Sequence, residues 1–332
     1  MKNKKSIMTF SALQILIFHL WVYVLKNNEI EIFLKQTSYI GVDIFFLISA
    51  YSLSSRNVDH YGKFLLFRFK AVYVKYIIFA TVAMIYSSWG IERLINIITC
   101  NELFTKGGGA YLWFLPAIMI FYIVFPLFQR CENKYKIITP VVITALWVVG
   151  AFVITNNTEL EQLAIVWNRV PIFIVGYYLF KLNKITNILD NKKCKLIVGT
   201  ILSLVGTLLI YFYAFKVKLQ VPFKDSFYLV VIPASLGLVM LLDCIPENKV
   251  IKWIGSSTLE IYAIQMTFGY DIANKLIKLT NNMLIYNILM IIYIVVLSVI
   301  THYCYEYLIE KGRKLKNVVR NNNVQHKGRN EN

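Results

Sequence analysis

Apolar residues fall in ten long runs, near 7–25, 37–54, 71–89, 111–128, 137–154, 163–180, 195–215, 227–245, 253–272 and 284–308, with short polar stretches between them. Each run is about as long as a helix needs to cross a bilayer, and none has the strict alternation of a barrel strand. The pattern therefore predicts helices, whose backbone groups bond internally. The run from 253 is the weakest, because GSSTLEIYAIQMTF is short and polar at its start.

Polar residues inside these runs stand out, since charge at membrane depth is expensive to keep. His19 is the fifth residue of ILIFHLWVYV. At a rise of about 1.5 Å per residue it lies roughly 18 Å from the inner end of the first span. The second span runs the other way, which sets Asp43 roughly 21 Å from the inner face of a core about 30 Å thick. Arg169, early in the sixth run, reaches the same outer-third layer. Two readings follow. An Asp43–Arg169 pair pins two helices while His19 packs as a hydrogen-bonded core residue, or His19 is a general base whose tautomer is set by a neighbouring acid such as Asp43 or by a dipole.

Nearer the inner face, FRFKAVYVKY carries Arg68, Lys70 and Lys75, either a seat for a phosphorylated ligand or ordinary flanking charge. In the ninth run Glu260, Tyr262 and Gln265 must face protein or water, and residues two apart cannot share one narrow stripe. The triple glycine at 107–109, just before YLWFLP, is expected as a flexible external turn. It is not a phosphate loop, because no Lys-Ser or Lys-Thr follows it. Tyr111 and Trp113 fall where an interfacial aromatic belt is expected, with a sugar-stacking surface as the alternative. His60 and His302 are expected to reach water and receive no role.

Composition agrees with the pattern: 332 residues, 58% hydrophobic, mean hydropathy +0.58, too apolar for a soluble domain. The net charge of +17 would suit nucleic acid, but its distribution points to a membrane instead. With the N-terminus inside, cytoplasmic segments hold 25 of the 35 Lys and Arg, external loops hold 9, and Arg169 lies within a span. That asymmetry sets both termini in the cytoplasm, makes membrane lipid the expected partner and leaves nucleic acid out. The basic tail, 311–332, is expected to lie against anionic headgroups or to be disordered. The five cysteines lack paired spacing, so neither a disulfide framework nor a metal site is expected. The first run lacks a small-residue cleavage site and reads as a retained anchor. The fold class is all-α, a polytopic integral membrane protein of about ten transmembrane helices in one membrane domain.

Several of these residues carry a resemblance. GVDIFFLISAYSL from Gly41, YLWFL from Tyr111, NRVPIFIVGYYL from Asn168 and IGSSTLEIYAIQ from Ile254, with His19 ahead of them, occur in the order and over the length found in the membrane-bound acyltransferase-3 superfamily. The chain resembles that family over about 250 residues, and residues 1–310 read as its transmembrane domain. The resemblance implies transfer of an acyl group, most often acetyl, from cytoplasmic acyl-CoA to a hydroxyl of a cell-surface polysaccharide or its lipid-linked precursor. The setting it implies is a bacterial cytoplasmic membrane, with glycan assembly proteins as further partners. It implies His19 as the essential histidine with Asp43 beside it, and Arg68, aided by Lys70 and Lys75, as the acyl-CoA seat. Trp113, Arg169, Glu260, Tyr262 and Gln265 become substrate-binding or structural residues. No metal is implied. The chain departs from the family where Met8 and Ala71 stand in place of basic residues and Gln265 in place of a frequent histidine. Three functions stay open on the residues: an O-acyltransferase, a transporter or flippase of a saccharide or small anion with Arg169 at its midplane, and an inactive scaffold of a glycan assembly complex.

Overall fold

The computed structural model describes residues 1–24, 34, 37–187, 189–215, 227–280 and 282–329. They fold into helices, with no strand among the described residues. In chain order these are α1 (Lys4–Val24), α2 (Ile40–Ser54), α3 (Tyr61–Ser87), α4 (Ile91–Ile98), α5 (Asn101–Lys106), α6 (Phe114–Lys134), α7 (Ile138–Asn156), α8 (Glu161–Thr186), α9 (Lys192–Phe215), α10 (Phe227–Leu242), α11 (Lys249–Ser256), α12 (Thr258–Leu276) and α13 (Met283–Arg329).

Each of the ten apolar runs carries a helix. Six helical segments are long and apolar enough to cross a membrane: 61–87, 114–134, 138–156, 161–186, 192–213 and 285–312. The helix of the second run has 15 residues and that of the eighth 16. In the ninth run the polar start is a break: α11 ends at Ser256, and α12 begins afresh at Thr258. The last helix, α13, continues without interruption to Arg329.

Short α2 is the hub. Ten of its 15 residues are buried, because α1, α8 and α10 surround it. Small residues let these backbones approach. A Cβ at Gly176 of α8 would lie 2.3 Å from the Leu47 carbonyl of α2, and one at Gly41 would lie 2.6 Å from the Ser11 carbonyl of α1. Phenyl rings fill the remaining space, with Phe46 on Phe121 at 5.0 Å and Phe121 on Phe173 at 4.7 Å between centroids. By contrast α7 and α9 show many exposed Val, Ile and Leu side chains, the surface expected of helices that face lipid.

The start of α1 is tied down by backbone bonds. Asp243 Oδ1 accepts the Lys2 and Asn3 N–H groups at 2.7 and 2.9 Å, while its Oδ2 takes the Lys195 ammonium at 2.7 Å. This fixes the height of α1 in the bundle, and with it the height of His19.

Candidate active site

Met8, Ala12, Ile15 and His19 follow one another at helical intervals and form a single stripe on α1. That stripe lines a chamber of about 400 Å³, walled further by α2, α3, the first turns of α6, and α12. Met8, Ala71 and Lys75 border it toward the N-terminal end of α1; Tyr39, Gly108 and Ile165 border it at the other. The two positions where the chain lacks a family cation, Met8 and Ala71, thus both look into the chamber.

His19 sits half-buried, its Nδ1 2.8 Å from the Ile15 carbonyl oxygen. A carbonyl only accepts, so Nδ1 carries the proton and Nε2 is the basic nitrogen of the neutral ring. Phe18 packs edge-on to the imidazole at 5.1 Å, and the Tyr262 ring lies 6.5 Å away. The dipole that fixes the tautomer belongs to the helix's own main chain.

Asp43 lies in the same helix as the chamber residues Val42 and Phe45, but its side chain is spent elsewhere. Its Oδ1 is 3.1 Å from Arg169 Nε, both side chains being closed to solvent. Arg169 reaches it from the break in α8 at Asn168–Arg169, and its guanidinium also bonds the Ile165 carbonyl at 3.4 Å. Three rings enclose the same cation: Tyr228 at 4.0 Å, Tyr39 at 5.0 Å and Trp113 at 5.5 Å. The Tyr39 and Tyr228 hydroxyls meet at 3.0 Å. Neither tyrosine was singled out by the sequence, since only the fold brings the two together.

Tyr111 and Trp113 do not form a belt. They are 4% and 9% exposed, and Leu112 between them adopts a φ of +49°. Tyr111 donates to, or accepts from, Thr267 at 2.7 Å, and Trp113 lines the chamber. The triple glycine is equally ordered. It forms a 3-10 turn in which Gly107 has a φ of +52° and a Cβ would lie 2.6 Å from the Gln162 carbonyl. Glu102 anchors this loop, accepting from the Tyr111 N–H at 2.9 Å and from Arg93 at 3.1 Å, with Lys106 as a third partner. Burial opposes its charge, but Lys106, the Tyr111 amide and Arg93 outweigh that and hold the carboxyl below the usual glutamate range.

The three cations of α3 part company. A wide π turn at Phe69–Tyr73 separates them. Arg68 stacks over Tyr122 at 4.9 Å, Lys70 is exposed, and Lys75 points into the bundle, lining the chamber. Lys75 Nζ lies 2.7 Å from Glu260 Oε1, and His302 Nδ1 donates to the same oxygen at 3.1 Å. The role of His302 was invisible in the sequence, 42 residues from its partner, and the site is 12% exposed rather than open to water. Lys75 and Glu260 also face a second cavity, of about 470 Å³, between α3, α12 and α13. Glu260, Tyr262 and Gln265 diverge as their spacing requires: Glu260 to Lys75, Tyr262 to the chamber, and Gln265 Nε2 to the Leu16 carbonyl at 3.0 Å.

A polytopic helical membrane protein with a histidine-bearing chamber is therefore on view. The acyltransferase-3 family model, described as an acyltransferase domain, matches residues 9–303, and the chain belongs to that family of membrane acyltransferases. No curated protein and no solved structure matches the chain.

Proposed function

We propose that the protein is an O-acyltransferase that moves an acyl group, acetyl in the first instance, from cytoplasmic acyl-CoA to a hydroxyl of a cell-surface polysaccharide or its lipid-linked precursor. In this reading ten helices cross a bacterial cytoplasmic membrane with both termini inside. The observation that carries it is the imidazole of His19, tautomer fixed by Ile15, on the wall of a chamber whose other end holds Lys75. The donor enters past Lys75, with Arg68 and Lys70 adding positive charge near the mouth for its phosphates. His19 Nε2 takes the proton of the acceptor hydroxyl as its oxygen attacks the thioester carbon. Asp43 and Arg169 act behind the chamber, holding Trp113 and Tyr39 in place.

A thioester is reactive enough that a base and good positioning suffice. The enclosure of Arg169 by Asp43 and three rings disfavours the transporter reading, which needs that cation open to a passing anion. The test is mass analysis of surface polysaccharide from cells carrying wild-type protein or His19→Ala at equal expression. Loss of ester-linked acyl groups supports the reading. An unchanged acylation pattern sinks it and leaves a scaffold.

A further inference from the structure

The positive φ of Leu112 delivers α6 into the core by its N-terminus. Leu112 and Trp113 are 0% and 9% exposed, and no side chain caps the helix. In its first turn the Trp113 N–H bonds the Ala110 carbonyl at 3.2 Å and the Leu115 N–H bonds the Leu112 carbonyl at 2.9 Å, while Pro116 has no N–H to give. The Phe114 N–H has no backbone acceptor among the described residues. Trp113, Phe114 and Leu115 line the chamber, so the positive end of a 21-residue helix faces it.

Tyr262 supplies an independent sign that something is meant to bind there. It is 7% exposed, and its hydroxyl is buried without a hydrogen-bond partner among the described residues. The Phe114 amide approaches the phenol oxygen without completing a bond of ordinary geometry. The same ring lies 6.5 Å from that of His19, and both residues line the chamber. Leaving a buried hydroxyl without an acceptor is unfavourable, and a bound carbonyl oxygen removes that penalty.

We infer that the Tyr262 O–H and the Phe114 N–H at the positive end of α6 form an oxyanion hole for the thioester carbonyl. This rests on the acyl-transfer reading above. As the acceptor oxygen bonds to the thioester carbon and its proton passes to His19 Nε2, the carbonyl electron pair moves onto oxygen. That oxygen accepts hydrogen bonds from Tyr262 and Phe114. The carbonyl then re-forms, the C–S bond breaks, and the sulfur of CoA leaves with the proton from His19. An ester and a thiol result, nothing is oxidised or reduced, and Tyr262 keeps its proton throughout. Tyr262 is then a catalytic residue.

The test uses the full-length protein in lipid nanodiscs, with acetyl-CoA as donor and de-O-acetylated polysaccharide from the producing cells as acceptor, following CoA release. Tyr262→Phe removes one donor and is expected to lower kcat about 10²-fold with the KM for acetyl-CoA unchanged. A wild-type kcat, or a change in KM alone, overturns the inference. Should Tyr262→Phe melt before assay, 3-fluorotyrosine at position 262 keeps the shape and makes the hydroxyl more acidic. As a stronger donor at unchanged shape it is expected to change kcat with the KM for acetyl-CoA unchanged; a kcat identical to wild type overturns the inference. His19→Ala separates the two levels. If it releases CoA like wild type, the acyl-transfer reading falls; if it is inactive while Tyr262→Phe is unimpaired, only the oxyanion hole falls.

Discussion

Arg169 Nε and Asp43 Oδ1 lie 3.1 Å apart with side chains 0% and 1% exposed, so two charges with no access to water neutralise each other between α8 and the hub helix α2. Removing one of them strands the other. Asp43→Ala and Arg169→Ala are each expected to cost about 3–5 kcal/mol, read as a fall in thermal midpoint in detergent. The double variant Asp43→Leu with Arg169→Met, which removes both charges at similar volume, is expected to recover most of that. Single variants that melt like wild type would show that the pair contributes nothing.

Gly176 meets the Leu47 carbonyl, a main-chain atom that cannot swing aside. Gly176→Ala is expected to destabilise by about 1–3 kcal/mol, while Gly62→Ala, where a Cβ meets nothing within 4 Å, is expected to be harmless. Parallel melting curves of the two proteins decide the matter, and equal midpoints would contradict the close approach of α2 and α8.

Glu102 gives the loop at 101–111 a pH dependence of definite sign. Its carboxyl is held below the usual range by Lys106, the Tyr111 amide and Arg93 against the pull of burial. The stability it contributes is therefore full above the unfolded value of about 4.3 and is lost as pH falls through the lower folded value. Hydrogen exchange of the amides at 107–111 is expected to accelerate below about pH 4. In Glu102→Gln the amides should exchange fast at every pH; a variant that keeps the acid-dependent step would refute this assignment.

Lys75 is held by Glu260, which offsets its charge at the chamber wall. Lys75→Ala is expected to raise the KM for acetyl-CoA several-fold with little change in kcat, and to flatten its dependence on salt. Glu260→Gln leaves the ammonium unopposed and is expected to lower that KM. Steady-state kinetics at low and high ionic strength read both, and a KM indifferent to either change would remove Lys75 from the donor path.

Depth was legible in the sequence, and direction around the helix was not. A constant rise per residue placed Asp43 and Arg169 at one level, and the two do pair. The same arithmetic could not say whether Asp43 would turn toward His19 or toward Arg169, since that depends on how α2 is rotated among α1, α8 and α10. The directions of Arg68, Lys70 and Lys75 were hidden for a related reason: the π turn at Phe69–Tyr73 breaks the spacing of an ordinary helix, and no residue type announces it. The belt reading of Tyr111 and Trp113 fails because the two are buried, on either side of a leucine whose positive φ is rare. Partners distant in the chain, such as Lys75 with Glu260 or Tyr39 with Tyr228, carry no local signal.

The atom that orients the His19 ring is the Ile15 oxygen, part of the peptide chain itself. An exchange of any neighbouring amino acid leaves that oxygen where it is, so natural variants of this protein can reshape the pocket for a new acceptor without disturbing which nitrogen faces it. Unwinding that stretch of helix would take this acceptor away from Nδ1.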